Sequence, residues 1–287
     1  MKKTLNTVHL LFNLVFSAKT RQPTFKLLLT IWLDFFWAQW RLKLKLARKN
    51  ITSIIHPADH ITPYNPARYP IYLSFIAEIM DTLLLIRKHS HTTWQTEIIN
   101  YIQRLTKLYQ ISGSIHSRNP TTTTRFFRAQ SLRSWLILLT DPHYHCLPSL
   151  HVSIVCLNYT FIGSIWNGEP VQKKKMSKQL YQTAVLISRS VLEVKQHSIY
   201  CIVAALILME KLFSTWSPAD SLKMMEDLSY ISEISTTSQV ELYTAQKTLY
   251  FTIKEEIFSK THLTEGMRQL ILEIAKEKSQ EVSLLGA

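Results

Sequence analysis

The hydrophobic pattern is dominated by two apolar runs without charge that flank a basic segment. The first run covers residues 152–166 and the second covers 180–188. The segment between them carries four lysines, Lys173, Lys174, Lys175 and Lys178. Because a helix rises about 1.5 Å per residue, about 20 residues cross a hydrocarbon core. The pattern therefore predicts two antiparallel membrane helices, 150–168 and 179–194, joined by a basic loop, and a third helix over 198–214.

The first half of the chain contains further apolar stretches, and the sequence leaves their number of crossings open. Residues 5–18 are short for a span, 25–42 are longer and rich in Trp and Phe, and 70–86 follow. One scheme counts 5–18 as a span and makes the basic segment 41–49 cytoplasmic. The other scheme begins at 25–42 and needs an additional crossing between 90 and 140. Both schemes place the lysines after residue 170 inside.

The C-terminal part differs from the rest in charge and in pattern. Residues 218–287 hold 11 acidic and 7 basic residues, a balance of −4 against +17 for the preceding chain. Ser217 and Pro218 have the residue types of a helix start. The apolar spacing there predicts amphipathic helices at 217–232, 238–259 and 264–280. We therefore predict a membrane-embedded domain, 1–216, and a separate acidic, helical, cytoplasmic tail, 217–287.

Composition favours a membrane protein over a nucleic-acid-binding protein. The chain of 287 residues has a net charge of +13, and 46% of its residues are hydrophobic. Its basic residues flank apolar runs, as in cytoplasmic loops of membrane proteins, and no nucleic-acid-binding module is recognisable. The fold class predicted is all-α, a polytopic membrane helix bundle of about five to six spans with a helical C-terminal soluble tail. The bilayer is the expected partner, and the sequence sets no oligomeric state.

Two histidines mark the ends of the helix pair. His151 closes the segment Pro148-Ser149-Leu150-His151, and His197 closes Lys195-Gln196-His197. A chain that crosses the membrane and returns brings His197 back to the face at which His151 lies. The sequence therefore predicts that the two histidines, 46 residues apart, meet at one end of a helix pair.

Both histidine segments resemble signatures of the type 2 phosphatidic acid phosphatase superfamily. Residues 148–151 resemble its second signature, usually Pro-Ser-Gly-His. Residues 190–201 resemble the third, usually Ser-Arg, five residues, His, three residues, Asp. Residues 61–72 also resemble the segment that precedes a membrane span in one branch. The resemblance implies that His197 attacks phosphorus and that His151 protonates the leaving oxygen.

The same resemblance assigns phosphate-binding roles. Ser149 would donate to phosphate oxygens through its hydroxyl or its backbone N–H, and Ser190 occupies the first position of the third signature. The family's first signature is Lys, six residues, Arg-Pro. Here Arg118 and Arg125 are separated by six residues, with Phe126 in the place of the proline. A transferring phosphoryl group needs such cations because charge is spread over three oxygens.

Three positions depart from the family pattern. Leu150 replaces glycine, Val191 replaces arginine and Cys201 replaces the aspartate that would orient His197. A thiol cannot supply a carboxylate's charge near neutral pH. Glu193, four residues before His197, is a candidate substitute for that aspartate. If activity is low for lack of a carboxylate, Cys201→Asp should raise it.

The resemblance implies an integral membrane lipid phosphatase or phosphotransferase that works through a phosphohistidine, with a lipid phosphate as substrate. The alternative is a catalytically impaired relative that binds lipid head groups without turnover. The superfamily's phosphatases use no metal, and Asp141, His143 and His145 match no common metal spacing, so no cofactor is expected. The expected location is the plasma (inner) membrane, with the histidine pair on the outer face.

Overall fold

The computed structural model describes residues 2–90, 92–123, 142–166, 169–259 and 261–285. About 77% of the structure is helical and 2% is strand. The all-α prediction is therefore confirmed. Two short strands, β1 (Thr52–Ser53) and β2 (Thr121–Thr122), pair in parallel.

Six helices lie in the described residues up to 123. Their bounds are α1 Lys2–Phe16, α2 Ala18–Thr30, α3 Ala38–Lys43, α4 Tyr69–Leu73, α5 Phe75–His89 and α6 Trp94–Arg118. A π-helical turn, Ile31–Trp37, joins α2 to α3, and short 3-10 turns cover Pro57–His60 and Pro66–Arg68. Helix α6 is amphipathic and buries one apolar face against α2, α5 and the helix Leu150–Ile165.

The remaining helices form the centre and the other side of the bundle. They are α7 Leu150–Ile165, α8 Pro170–Glu193, α9 Ile199–Leu212, α10 Pro218–Ser229, α11 Thr236–Thr252 and α12 Leu263–Leu285. A second π-helical turn, Ile253–Ile257, extends α11. The three helices expected after residue 217 are thus confirmed as α10 to α12.

The expected basic loop between α7 and α8 is instead the beginning of α8. This helix begins at Pro170, whose missing N–H and fixed φ suit a first helical position. The lysines at 173–178 therefore lie on the first turns of a helix of 24 residues. The loop prediction was wrong because lysine is a good helix former, and hydropathy alone does not separate a polar helix end from a loop.

Helix α9 is the central element of the bundle. Its residues 199–209 are all buried, most of them completely. Helices α7, α10, α11 and α12 pack around it. An apolar helix without a polar face is stable in water or in lipid when neighbours cover every side. The apolarity of 198–214 therefore reflects a central position in the protein.

The C-terminal helices are part of the same bundle. Helix α10 packs on α8 and α9, α11 packs on α9, and α12 contacts α6, α9 and β1. Glu210 of α9 accepts hydrogen bonds from Ser221 of α10, at 2.6 Å, and from Tyr250 of α11, at 2.7 Å. These contacts correct the expectation of a separate tail. Helices α10, α11 and α12 all pack against α9.

Candidate functional site

The two histidine segments meet where α7 and α9 begin. The backbone N–H of Ser149, the residue before α7, donates to the carbonyl oxygen of Cys201 at 3.0 Å. Ser198, the residue before α9, caps that helix by accepting the N–H of Tyr200 on its hydroxyl. The hydrogen bond between Ser149 and Cys201 thus holds the first turns of α7 and α9 side by side. This contact also occupies the Ser149 backbone N–H that sequence reasoning offered to phosphate.

His151 and His197 lie close together, as predicted, with ring centroids 5.6 Å apart. His197 is buried and His151 partly buried. The His151 ring stacks on Tyr72 at 4.4 Å and meets the edge of Phe75 at 4.3 Å between centroids. Two aromatic rings thus hold His151 in place from one side. No pattern in the sequence marks these two neighbours, which lie about 80 residues upstream.

A backbone carbonyl orients the His197 ring. Its Nδ1 lies 3.0 Å from the carbonyl oxygen of Cys146. Because a carbonyl oxygen can only accept a hydrogen bond, Nδ1 carries the hydrogen. In the neutral ring Nε2 then holds the free electron pair, which is the form a nucleophilic imidazole requires.

Glu193 does not take the place of the missing aspartate. Its carboxylate is 2% exposed and pairs with the guanidinium of Arg68, with Nε and Oε2 at 3.1 Å. Arg68 also reaches Glu233 at 3.4 Å. The prediction that Glu193 substitutes for the orienting carboxylate is therefore corrected: this carboxylate forms an ion pair that connects α8 to the segment before α4.

Cys201 and Ser190 contribute to the framework of the site. Cys201 is completely buried, and its backbone carbonyl anchors Ser149. The Ser190 hydroxyl donates to the carbonyl oxygen of Ile187 at 2.6 Å, within α8. The expectation that Ser190 contacts phosphate is corrected, because its hydroxyl bonds to its own helix.

Of the expected phosphate ligands, Ser149 retains a usable donor. Its hydroxyl is buried and has no hydrogen-bond partner among the residues that the structure describes. Arg118 is exposed at the end of α6. Arg125 lies outside the described residues, so its role stays a prediction.

A cavity of about 190 Å³ adjoins His197. It is also lined by Asp59, Thr123 and Lys195. The Lys195 ammonium group donates to the carbonyl oxygen of Asp59 at 2.7 Å and to that of Thr62. Burial lowers the pKa of Lys195, and the Asp59 carboxylate opposes that shift. The Lys195 cation, the Thr123 hydroxyl and the candidate nucleophile His197 therefore line the same cavity.

Asp59 is the member of this cavity that sequence reasoning missed. Its carboxylate accepts the backbone N–H of Ile199 at 2.9 Å and that of His56 at 2.8 Å. It thereby caps the 3-10 turn Pro57–His60 and the first turn of α9 together. The pattern His-Pro-Ala-Asp was a readable signal for a local cap, but its contact with α9 is a tertiary feature.

Three further histidines surround the pair. His143 accepts or donates a hydrogen bond with the Thr123 hydroxyl at 2.7 Å, depending on its tautomer, and its ring lies 6.5 Å from that of His197. His116 and His145 stack with centroids 4.6 Å apart. Burial lowers the pKa of His145, and His116 adds to the shift. Within the described ranges no three His, Cys, Asp or Glu side chains group in a way that could hold a metal ion.

Comparison of the chain with family models, with curated proteins and with solved structures gives no match. The family resemblance therefore rests on the motif residues alone.

Proposed function

We propose that this protein transfers the phosphoryl group of a membrane lipid phosphate, as a divergent member of the type 2 phosphatidic acid phosphatase superfamily. The observation that carries the proposal is the His151–His197 pair, at 5.6 Å between ring centroids. The hydrogen bond from His197 Nδ1 to Cys146 supports it, because it leaves Nε2 as a nucleophile.

The chemistry follows from these positions. His197 Nε2 attacks phosphorus, the P–O bond to the lipid breaks, and His151 gives its proton to the leaving oxygen. Water, activated by His151, then takes the phosphoryl group from His197 and releases phosphate. An acceptor alcohol in place of water makes the reaction a transfer. The Cys146 carbonyl stabilises the Nδ1–H of the positively charged phosphohistidine.

Turnover should be slow. In hydrolases with a triad, neutralising the carboxylate that orients a histidine costs about 10⁴-fold. The acceptor here is a neutral carbonyl, which fixes orientation and tautomer but adds no negative charge. Lys195 and the Ser149 hydroxyl are the groups we assign to the phosphate oxygens. Arg118 and Arg125 remain candidates for binding the phosphate oxygens.

We also propose that the bundle is embedded in a membrane, with the histidine pair on the outer face. The stretch Pro66–His89 is long and apolar enough to cross a bilayer, and it is the only one among the described residues. Large apolar side chains of α1, α2 and the π-helical turn Ile31–Trp37 are exposed, including Phe12, Phe16 and Trp32 at more than 60% each. Exposed aromatic surface next to basic residues is typical of membrane contact. The five to six spans implied by the resemblance belong to this proposal. Reporter fusions at residue 175 test its orientation, because that residue should lie in the cytoplasm.

Phosphate release by the full chain in lipid nanodiscs tests the function. Phosphatidic acid and a diphosphate lipid are offered without added metal. Wild type should release or transfer phosphate slowly, and His197→Ala should abolish this activity. His262→Ala, a change at an exposed histidine before α12, is the matched control and should leave the rate unchanged. An active wild type that is indifferent to His197→Ala would refute the proposal.

A second candidate function is lipid head-group binding without turnover. His197 donates to a neutral carbonyl, and the buried residue at the family's aspartate position is Cys201, which carries no carboxylate. Both features favour binding without turnover. In that case wild type and His197→Ala are equally inert with every lipid phosphate, while phosphatidic acid still binds. Binding then weakens on Lys195→Met and on removal of either histidine.

A further inference from the structure

A second, larger cavity lies on the other side of α8, between α8 and α10. Its volume is about 900 Å³, within the range of ligand sites, and neither His151 nor His197 lines it. Four of its lining residues are cationic, Lys174, Lys178, Arg189 and Lys223. We call this cavity the α8–α10 groove.

The charge of the groove points to an anionic ligand. Asp227 is the one carboxylate among the described residues that line it. Its Oδ2 accepts the Tyr181 hydroxyl at 2.6 Å, and its backbone carbonyl accepts Arg189 at 2.6 Å. The ammonium groups of Lys174 and Lys178 are exposed, and that of Lys223 lies over the Tyr181 ring, 4.7 Å from the centroid. Lysine side chains arranged in this way suit a phosphate group.

The groove is cationic at its lysine end and apolar at Val185 and Leu186, and Arg189 with its partner Asp227 lies beyond these two residues. Lys174 and Lys178 lie one turn apart on α8, and Val185 and Leu186 follow on the lining. At about 1.5 Å per residue, Leu186 lies about 12 Å along the helix from Lys178. Leu186 is 44% exposed. A phosphate at the lysine end with an apolar chain extending towards Leu186 matches this order of side chains.

We infer that the α8–α10 groove binds an anionic phospholipid, with the phosphate between Lys174, Lys178 and Lys223 and an acyl chain along Val185 and Leu186. The site is separate from the histidine pair and does not depend on turnover. An anionic lipid is favoured over free phosphate because the groove is far larger than a phosphate ion. It is favoured over a nucleic acid strand because the apolar Val185 and Leu186 follow the lysines, and Arg189 beyond them donates to the Asp227 carbonyl.

Binding of short-chain lipids to the purified full chain in neutral detergent tests the inference. Dioctanoyl phosphatidylglycerol should bind saturably at one site, while dioctanoyl phosphatidylcholine and glycerol phosphate should bind at least tenfold more weakly. The double variant K178Q/K223Q should weaken phosphatidylglycerol binding roughly tenfold or more, because it removes two of the three lysines placed around the phosphate. The control K211Q/K276Q removes two exposed charges elsewhere and should leave binding unchanged.

Leu186→Asp separates the two parts of the ligand. It should weaken binding of the dioctanoyl lipid but leave the weak binding of glycerol phosphate as it is. Equal loss in K211Q/K276Q would overturn the inference, as would equal affinity for glycerol phosphate or for a short oligothymidylate. Phosphate release by wild type is measured on the same samples. An inert protein that still binds phosphatidylglycerol here rejects the proposed catalysis and retains this site.

Discussion

His197 donates its Nδ1–H to the backbone carbonyl oxygen of Cys146 over 3.0 Å. The two residues come from different elements, the connection between α8 and α9 and the loop before α7. The bond fixes the ring and its tautomer without a carboxylate. Because the acceptor belongs to the backbone, substitution of the Cys146 side chain leaves it in place. The arrangement bears directly on Cys201, which stands in the place of the family's aspartate, and on Glu193, the candidate substitute for that aspartate.

Cys201→Asp should destabilise the protein. Residue 201 is completely buried, and an uncompensated buried charge costs roughly 3–5 kcal/mol. Thermal unfolding at neutral pH measures this loss, which should shrink as the pH falls because the protonated side chain carries no charge. Cys201→Ser, with a similar volume and no charge, is the control and should be milder.

The same variant decides between the two accounts of residue 201. The sequence alone predicted that Cys201→Asp restores activity by orienting His197. The structure predicts no gain in phosphate release, since Cys146 already occupies Nδ1. A faster and equally stable Cys201→Asp protein would show that residue 201 reaches the His197 ring, contrary to this arrangement.

Glu193→Gln should lower stability and leave the pH profile of turnover unchanged. The substitution removes the charge that pairs with Arg68 at a site where Glu193 is 2% exposed. The expected cost is about 1–3 kcal/mol in denaturant unfolding, reduced from a fully buried pair because Arg68 is 27% exposed. Glu193→Gln in an Arg68→Gln background should cost less, which measures the coupling.

Glu233→Gln is the matched control for this pair. Glu233 contacts the same arginine at 3.4 Å but is 44% exposed, so the change should stay within about 0.5 kcal/mol. Loss of turnover in Glu193→Gln with stability intact is the contrary result. It would return Glu193 to the role of orienting carboxylate.

Acid should loosen the segment that lines the cavity beside His197. His56 Nδ1 accepts the backbone N–H of Ala58 at 3.0 Å, and a protonated Nδ1 cannot accept. Burial lowers the pKa of His56 below 6.5, while Asp59 and Glu277 partly oppose the shift. The unfolded chain therefore binds more protons just below pH 6.5, so stability is full above that pH and falls as the pH drops towards the folded-state pKa.

Thermal unfolding between about pH 7.5 and pH 5 measures this effect. His56→Gln, whose amide oxygen can accept the same N–H, should show a smaller fall than wild type. If the unfolding temperatures of wild type and His56→Gln fall equally with pH, the acid sensitivity belongs to another group.

Glu210→Ala should detach the C-terminal helices from α9. The Glu210 side chain is 7% exposed, and its Oε2 also pairs with the Lys254 ammonium at 2.7 Å. Removing the carboxylate leaves the Ser221 and Tyr250 hydroxyls without their acceptor. The expected cost is roughly 2–4 kcal/mol in denaturant unfolding.

Glu226→Ala, at an exposed position of α10, is the control and should change stability by no more than about 0.5 kcal/mol. A chain that ends at Trp216 should unfold at a lower temperature, because α10, α11 and α12 no longer cover α9. An unchanged unfolding temperature in this shortened chain and in Glu210→Ala would support the separate tail that the charge pattern suggested.

The sequence was sufficient for the helices after residue 150, apart from the first turns of α8, and for the meeting of His151 with His197. Apolar periodicity locates a helix, and two adjacent antiparallel helices return the chain to its starting face. The motif spacing therefore predicted a contact across 46 residues. It also predicted α10 to α12, because their amphipathic spacing and the capping residues at Ser217 are local features.

The acceptor at His197, the stacking on His151 and the packing of the tail were not predictable in this way. Every residue has a backbone carbonyl, so nothing in the amino-acid sequence identifies Cys146 as the partner of His197. Tyr72 and Phe75 look like members of an ordinary apolar helix. The acidic balance after residue 217 indicated a separate unit. The charged side chains whose burial is described there are exposed or partly exposed, while Leu242 and Met224 are buried in helices that pack on α9.

Detection of phosphate on His197 tests the central claim most directly. Wild type, His197→Asn and His262→Asn in nanodiscs are mixed with ³²P-labelled phosphatidic acid, quenched in alkali and analysed by mass spectrometry. The account predicts label on His197 that is stable in alkali and labile in acid, in wild type and in His262→Asn, and no label in His197→Asn. Phosphate release without labelled His197, or label retained in His197→Asn, would contradict it.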